Sequence, residues 1–125
     1  MILTIRTDKQ DAEIGLFSDE GKKISYKTWQ AHRELSSTIL GVIKELLDSQ
    51  KLDFKDITGV VFYKGPGSFT GLRIGASVAN ALQVPCINED GENWINNGIS
   101  RLPSDKSELA EPFYGGEAHT TTPKK

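Results

Sequence analysis

The stretch that decides the fold is residues 59–75, GVVFYKGPGSFTGLRIG. Its first five residues, 59–63, are apolar without alternation, so we expect a strand buried on both faces, as central strands are when helices cover a sheet. A tight glycine turn follows, and a helix is predicted from about residue 70 to 82. A buried strand that passes through a glycine turn into a helix is typical of α/β domains.

The flanking sequence extends this pattern on both sides. Residues 2–5 are apolar, and residues 12–17 and 24–28 alternate as strands do, so the chain is predicted to open with a three-stranded meander. Apolar residues recur at helical spacing over 31–50. A short strand is expected at 84–87, where the proline places its start at an edge or strand end. The predicted order is βββαβαβ, an α/β lobe with a mixed sheet and helices packed on it.

Composition limits the function classes. The 125 residues carry a net charge of −2, and no apolar stretch approaches the roughly 20 residues of a membrane helix. The N-terminus lacks a basic region followed by an apolar run, so we expect no secretory signal and a cytoplasmic location. The single Cys86 excludes an internal disulfide and a multi-cysteine zinc site.

Charge and turn content suggest two parts. Residues 1–88 have a net charge of +1 and residues 89–125 one of −3, so the division predicted is a lobe over 1–88 and a turn-rich, acidic, partly disordered C-terminal extension over 89–125. In the extension, the spacing of Trp94, Ile95, Ile99 and Leu102 predicts one short helical turn at most. Phe113 and Tyr114 are candidates to dock on the lobe, and residues 118–125 resemble a frayed tail. Neither part has the dense basic stripe of a nucleic-acid-binding surface.

The glycine turn has two interpretations. Between a strand and a helix it could cradle a phosphate, with Gly65, Gly67, Ser68 and Thr70 as the candidate residues. Thr70 stands where both the P-loop and the dinucleotide fingerprint need glycine. The alternative is a structural turn whose glycines allow positive φ and close chain approach.

The two predicted helices each carry features beyond one core-facing stripe. In the first, Leu40 and Leu47 lie off the main apolar stripe and could cover a loop or contact a partner. In the second, glycines and alanines at i, i+4 and i+8 form a flat stripe that could pack on the chain's own sheet or on a partner helix, and Arg73 projects from the first turn. The candidate partner surface consists of Leu40, Leu47, Phe69, Gly71, Leu72, Arg73, Gly75, Ala76 and Ala79.

Other catalytic or metal chemistry has little support in the sequence. Two histidines, His32 and His119, have no paired metal-ligand spacing with Cys86, which is expected to be a small buried strand residue. Acidic residues at 8, 11 and 13 could suggest a cation site, but a solvated hairpin is the favoured interpretation.

Residues 64–75 resemble the GPGSFTGLRIG motif of the TsaB (YeaZ) family, and residues 111–115 resemble the family's C-terminal Pro-aromatic-Tyr segment. The resemblance implies an actin-like (ASKHA, ribonuclease H-like) fold, reduced to its N-terminal lobe. It further implies a non-catalytic subunit, without a cofactor, that supports the enzyme TsaD in forming threonylcarbamoyladenosine on tRNA. Pairing with TsaD would use helices 31–50 and 70–82, a TsaE-like ATPase could join the complex, and tRNA would be contacted only indirectly.

Two departures from the family pattern bear on the alternatives. Arg6-Thr7-Asp8 stands where the family has Asp-Thr-Ser, whose Asp helps to hold metal and phosphate in active ATPases of this fold; Asp8 could serve if the hairpin were shifted. The resemblance also covers only the first of the family's two lobes. The nucleotide site of actin-like proteins lies between two lobes, so one lobe alone cannot close it. The alternatives are a nucleotide- or phosphate-binding enzyme of the actin-like ATPase class, and a homodimeric interaction module that uses the same helices.

Overall fold

A computed structural model describes residues 1–102 and 109–113, except for the side chain of His32. The predicted order of strands and helices is confirmed, with one further helix after the last strand. The elements are β1 (Ile2–Arg6), β2 (Asp11–Phe17), β3 (Lys23–Gln30), α1 (Leu35–Ser49), β4 (Gly59–Tyr63), α2 (Phe69–Ala81), β5 (Cys86–Glu89) and α3 (Trp94–Arg101), with 3-10 turns at His32–Glu34 and Phe54–Asp56.

The sheet is mixed, and its strand order is β3-β2-β1-β4-β5. β2 pairs antiparallel with both β1 and β3, whereas β1–β4 and β4–β5 are parallel pairs. All five residues of β4 are buried, as the non-alternating run predicted. The carboxyl ends of β1 and β4 therefore lie side by side, which brings the turn after β1 next to the glycine turn after β4.

Helices α1 and α2 cover one face of the sheet. The stripe of α1 packs into a core with inward residues of β1 and β4, such as Ile5 and Phe62. Leu47 belongs to this core and is only 1% exposed. Leu52 and Phe54 in the connection after α1 pack against the same cluster.

Helix α3 covers part of the opposite face, so the expectation of one helical turn at most after β5 is wrong. Trp94 and Ile99 form a second core with Val61 and Tyr63, and the Trp94 and Tyr63 rings meet edge to face at 5.4 Å. Gly98 lies so close to Val61 that a Cβ there would collide with the valine side chain. The packing surface of β4 therefore stabilises a helix that its own sequence does not favour.

The described part of the C-terminal segment also reaches the lobe. Phe113 contacts it through its backbone, whose amide donates to the carbonyl oxygen of Lys64 at 2.6 Å. Tyr114 and residues 118–125 lie outside the described residues, and the domain division at residue 88 stays a prediction. Among the described residues, no helix has the length and apolarity needed to cross a bilayer.

Candidate protein-binding surface

An apolar groove runs between the outward faces of α1 and α2. Its volume is about 390 Å³. Leu40 on α1 is 53% exposed, and Phe69 at the start of α2 is 56% exposed. The groove is lined by Ser36, Ile39, Leu40, Thr70, Arg73, Ile74, Ser77 and Val78. A contiguous apolar patch with a polar rim is characteristic of a protein-interaction site.

Arg73 supplies positive charge to this groove. Its guanidinium carbon lies 5.3 Å from the centre of the Phe69 ring, within cation–π range. The contact orients an exposed aromatic ring and an exposed cation side by side on the first turns of α2. Aromatic and arginine side chains are enriched among the residues that dominate binding energy at protein interfaces.

Three of the nine predicted surface residues therefore face outward: Leu40, Phe69 and Arg73. The other six are buried within the lobe, and the prediction that they contact a partner is corrected. These residues are Leu47, Gly71, Leu72, Gly75, Ala76 and Ala79. Leu47 packs within its own chain, and the stripe of glycines and alanines on α2 packs on the chain's own sheet.

The close approach of α2 to β1 explains the small residues of the stripe. A Cβ added at Gly71 would collide with the carbonyl oxygen of Thr7, and one at Gly75 with the Thr7 hydroxyl. Phe62 of β4 lies 3.1 Å from the same added atom at Gly75. The glycines therefore let the helix backbone lie directly on the end of β1. The sequence analysis did not identify the groove residues Ile74, Ser77 and Val78. Ile74 and Val78 flank the buried stripe and are themselves partly buried against the same core.

The glycine turn packs against its own chain. The Ser68 amide donates to the Asp8 carbonyl oxygen at 2.7 Å, and the Ser68 hydroxyl caps α2 by accepting from the Gly71 amide at 3.3 Å. Gly67 lies against the backbone of Asp8, while Gly65, at φ +108°, lies against the carbonyl oxygen of Phe113. Intrachain packing thus accounts for both glycines. Phosphate binding by these candidates stays a prediction.

A second cleft, of about 800 Å³, borders this turn. Ser68 and Thr70 line it, together with Lys9 and Arg33. Lys9 lies 3.7 Å from the Glu13 carboxylate, so part of its charge is already paired. No group of three or more His, Cys, Asp or Glu able to hold a metal ion occurs in the part of the chain that the structure describes.

Arg6 and Asp8 form an ion pair where actin-like ATPases place a metal-binding Asp. Arg6 Nε lies 2.8 Å from Asp8 Oδ1, and the guanidinium lies over the Tyr63 ring at 4.0 Å from its centre. Burial lowers the pKa of Arg6, but the hydrogen bond and charge of Asp8 outweigh it and leave the pKa raised. The Asp8 carboxylate is therefore occupied by a cation of its own chain.

A half-buried tyrosine extends this polar cluster. The Tyr26 hydroxyl donates a hydrogen bond to the Glu13 carboxylate. Burial raises the pKa of Tyr26, and the hydrogen bond to Glu13 raises it further. Cys86 is buried in β5, as expected. The side chains of His32 and His119 lie outside the described residues.

Comparisons with known proteins relate the chain to proteins of threonylcarbamoyladenosine synthesis. A family model described as TsaD, tRNA N6-adenosine threonylcarbamoyltransferase, matches residues 29–87. The tRNA threonylcarbamoyladenosine biosynthesis protein TsaB of Buchnera aphidicola (subspecies Acyrthosiphon pisum) is 35% identical over 85 residues, which are 67% of this chain and 37% of that protein. The Escherichia coli protein of the same name is 31% identical over 111 residues, covering 81% of this chain and 47% of that protein.

A solved structure shows the same fold. It is described as an uncharacterized protein with similarity to peptidase YEAZ from Pseudomonas aeruginosa. It superimposes with a TM-score of 0.64 at 26% identity, over 71% of this chain and 42% of that one. The present chain thus spans less than half the length of the curated relatives, at 37% and 47% of the two TsaB proteins.

Proposed function

The chain belongs to the TsaB (YeaZ) family, and from that premise we propose that it supports the formation of threonylcarbamoyladenosine on tRNA as a non-catalytic subunit. Its role is to bind a TsaD-like threonylcarbamoyltransferase. The binding surface is the groove between α1 and α2.

The observation that carries this proposal is the exposed pair on the two helices. Leu40 and Phe69 together leave large apolar areas in water, whereas the other large apolar residues of α1 and α2 are buried or partly buried. A groove of this shape accepts the apolar face of a helix from another protein. Burying such side chains contributes roughly 25 cal/mol per Å² of apolar surface, which favours a partner over solvent.

A non-catalytic role is supported by the chemistry around the β1 turn. Asp8 is paired with Arg6, and the backbone of the glycine turn is hydrogen-bonded to Asp8. These contacts use groups that a nucleotide and its metal would need. The net charge of −2 leaves the positive surface for tRNA to the partner, so contact with tRNA is indirect. The family resemblance also implies a TsaE-like ATPase as a further partner of the complex.

The test is association of the 125-residue chain with the threonylcarbamoyltransferase from the same source, measured by titration calorimetry. We expect a complex at micromolar concentrations. Leu40→Glu should weaken it at least about tenfold, because a carboxylate would be desolvated in an apolar interface. Asn96→Glu is the matched control, since Asn96 is exposed on α3, which covers the face of the sheet opposite the groove.

The outcomes separate the alternatives. Absence of association between two folded proteins would refute the proposal. A dimer of the chain alone that Leu40→Glu dissociates, without binding of the transferase, would favour the homodimeric module. Binding of ATP and magnesium by the chain alone would favour a nucleotide-binding enzyme.

A further inference from the structure

Residues 109–113 form an extended segment, here called the strap, which lies between the end of α2 and β5. In an extended chain, the amide and carbonyl of one residue point to one side, and those of its neighbours point to the other. On one side, Asn80 Oδ1 accepts from the Ala110 amide at 2.7 Å, and Asn80 Nδ2 donates to the Ala110 carbonyl oxygen at 3.3 Å. One side-chain amide thus pairs both polar groups of one strap residue.

The opposite edge of the strap is paired by Asn88. Its Oδ1 accepts from the Glu111 amide at 2.9 Å, and its Nδ2 donates to the Leu109 carbonyl oxygen at 2.8 Å. In a parallel sheet, one residue bonds in the same way to the two residues on either side of the residue opposite it. Two asparagine side chains therefore hold three consecutive residues by both edges, and Ala110 between them is buried in the main core.

A further attachment joins the strap to the glycine turn. The Phe113 amide donates to the Lys64 carbonyl oxygen at 2.6 Å, and the Phe113 carbonyl oxygen packs against Gly65. Lys64 and Gly65 lead into α2, while Asn80 lies in the last turn of that helix. The strap therefore contacts the helix at its end and the turn that precedes its beginning.

The contacts at both ends of α2 matter because the side of the helix that faces the sheet holds it only weakly in position. That side is built from glycine and alanine together with Leu72. Such residues bring the helix close to the sheet, but they form low ridges with little to resist sliding or tilting. A contact at both ends of the helix restrains those movements.

We propose that the strap fixes the position of α2, and that strap docking is thereby coupled to partner binding in the groove between α1 and α2. Arg73, Ile74 and Val78 form the α2 wall of that groove, so a shift of the helix changes the shape offered to a partner. Coupling of this kind is reciprocal: bound partner stabilises the docked strap. The second half of the test rests on the proposed function, whereas the first half does not.

The first half measures hydrogen–deuterium exchange in the full chain. Asn88→Ala removes both bonds on one edge of the strap, and Asn97→Ala, at an exposed position of α3, is the matched control. We expect the Phe113 amide, whose acceptor is untouched, to exchange at least about tenfold faster in Asn88→Ala. The Ser68 and Leu72 amides at the start of α2 should also exchange faster.

Two results would overturn the proposal at this stage. Unchanged exchange at Phe113 would mean that Asn88 does not hold the strap. Faster exchange at Phe113 with wild-type exchange at Ser68 and Leu72 would mean that the strap does not restrain α2. Asn88→Asp, which keeps the acceptor and loses the donor, supplies a milder variant if Asn88→Ala fails to fold, and the same criteria apply to it.

The second half measures affinity for the threonylcarbamoyltransferase. Asn88 lies outside the groove, yet Asn88→Ala should weaken binding about fivefold or more. Bound transferase should slow the exchange of the Phe113 amide in the wild-type chain. Wild-type affinity in Asn88→Ala would overturn the coupling. Absence of binding by the wild-type chain would instead refute the proposed function, and the exchange result would still decide whether the strap holds α2.

Discussion

The burial of the small-residue stripe can be tested at Gly71. In Gly71→Ala, the added methyl group would meet the carbonyl oxygen of Thr7. That oxygen belongs to the backbone, so no side-chain rotation relieves the contact, and we expect an overpacking cost near the upper end of its usual range, about 3 kcal/mol. The gain in helix propensity from glycine to alanine offsets about 1 kcal/mol. The free energy of unfolding should therefore fall by about 2 kcal/mol.

Gly41 in α1 provides the matched control. It is exposed, and an added Cβ would have nothing within 4 Å. Gly41→Ala should therefore raise the free energy of unfolding by about 1 kcal/mol, so the two variants should differ by about 3 kcal/mol. Urea denaturation followed by the fluorescence of the buried Trp94 measures both values.

The opposite pattern would refute the reasoning. If Gly71→Ala stabilises the chain as much as Gly41→Ala does, the methyl group meets open space, and Gly71 does not lie against β1. If the same variant also abolishes binding of the transferase, the stripe faces the partner. A destabilised Gly71→Ala that still binds, at a urea concentration where it is folded, is the expected result.

Three further predictions concern the β1 turn and its neighbours. The Thr7 hydroxyl is buried without a hydrogen-bond partner among the described residues, so Thr7→Val should raise the free energy of unfolding by about 1 kcal/mol in urea denaturation. The pKa of Tyr26 is raised in the folded state, so stability should fall as the pH rises above about 10, the unfolded value, and Tyr26→Phe should flatten that decline in pH-dependent melts. Arg6→Ala leaves Asp8 without its ion-pair partner, so it should lower the free energy of unfolding by about 2 kcal/mol, which a lower Tm would show.

Local pattern was sufficient for most of the fold. The unbroken apolar run 59–63 predicted the buried central strand, and the helical spacing over 31–50 predicted α1. Helix α3 was not predictable in the same way, because its sequence contains Gly98 and two asparagines, which are poor helix formers. Its stability comes from packing on β4, where Trp94 meets Tyr63, and that surface is assembled from residues distant in sequence.

The orientation of the candidate surface depended on similar non-local information. Leu40 and Leu47 are two helical turns apart on almost the same side of α1, yet one is 53% exposed and the other 1% exposed. The difference arises because the connection after α1 folds back over the core that contains Leu47. Helical spacing alone identifies both residues as a second surface, and it cannot show which end of that surface the chain itself covers.

The glycine-rich motif is explained by the helix that it positions. Its glycines at 65, 67, 71 and 75 all pack on the chain itself, against the strap, the turn after β1 and the end of β1. Phe69 and Arg73, spaced by one helical turn, are exposed on the other side of the helix, where Arg73 lines the groove and lies beside the Phe69 ring. The motif therefore holds α2 close to the sheet and presents an aromatic–cation pair outward. A glycine turn between a strand and a helix can thus serve to place a binding surface, with its Ser68 amide and its helix cap engaged by the chain itself.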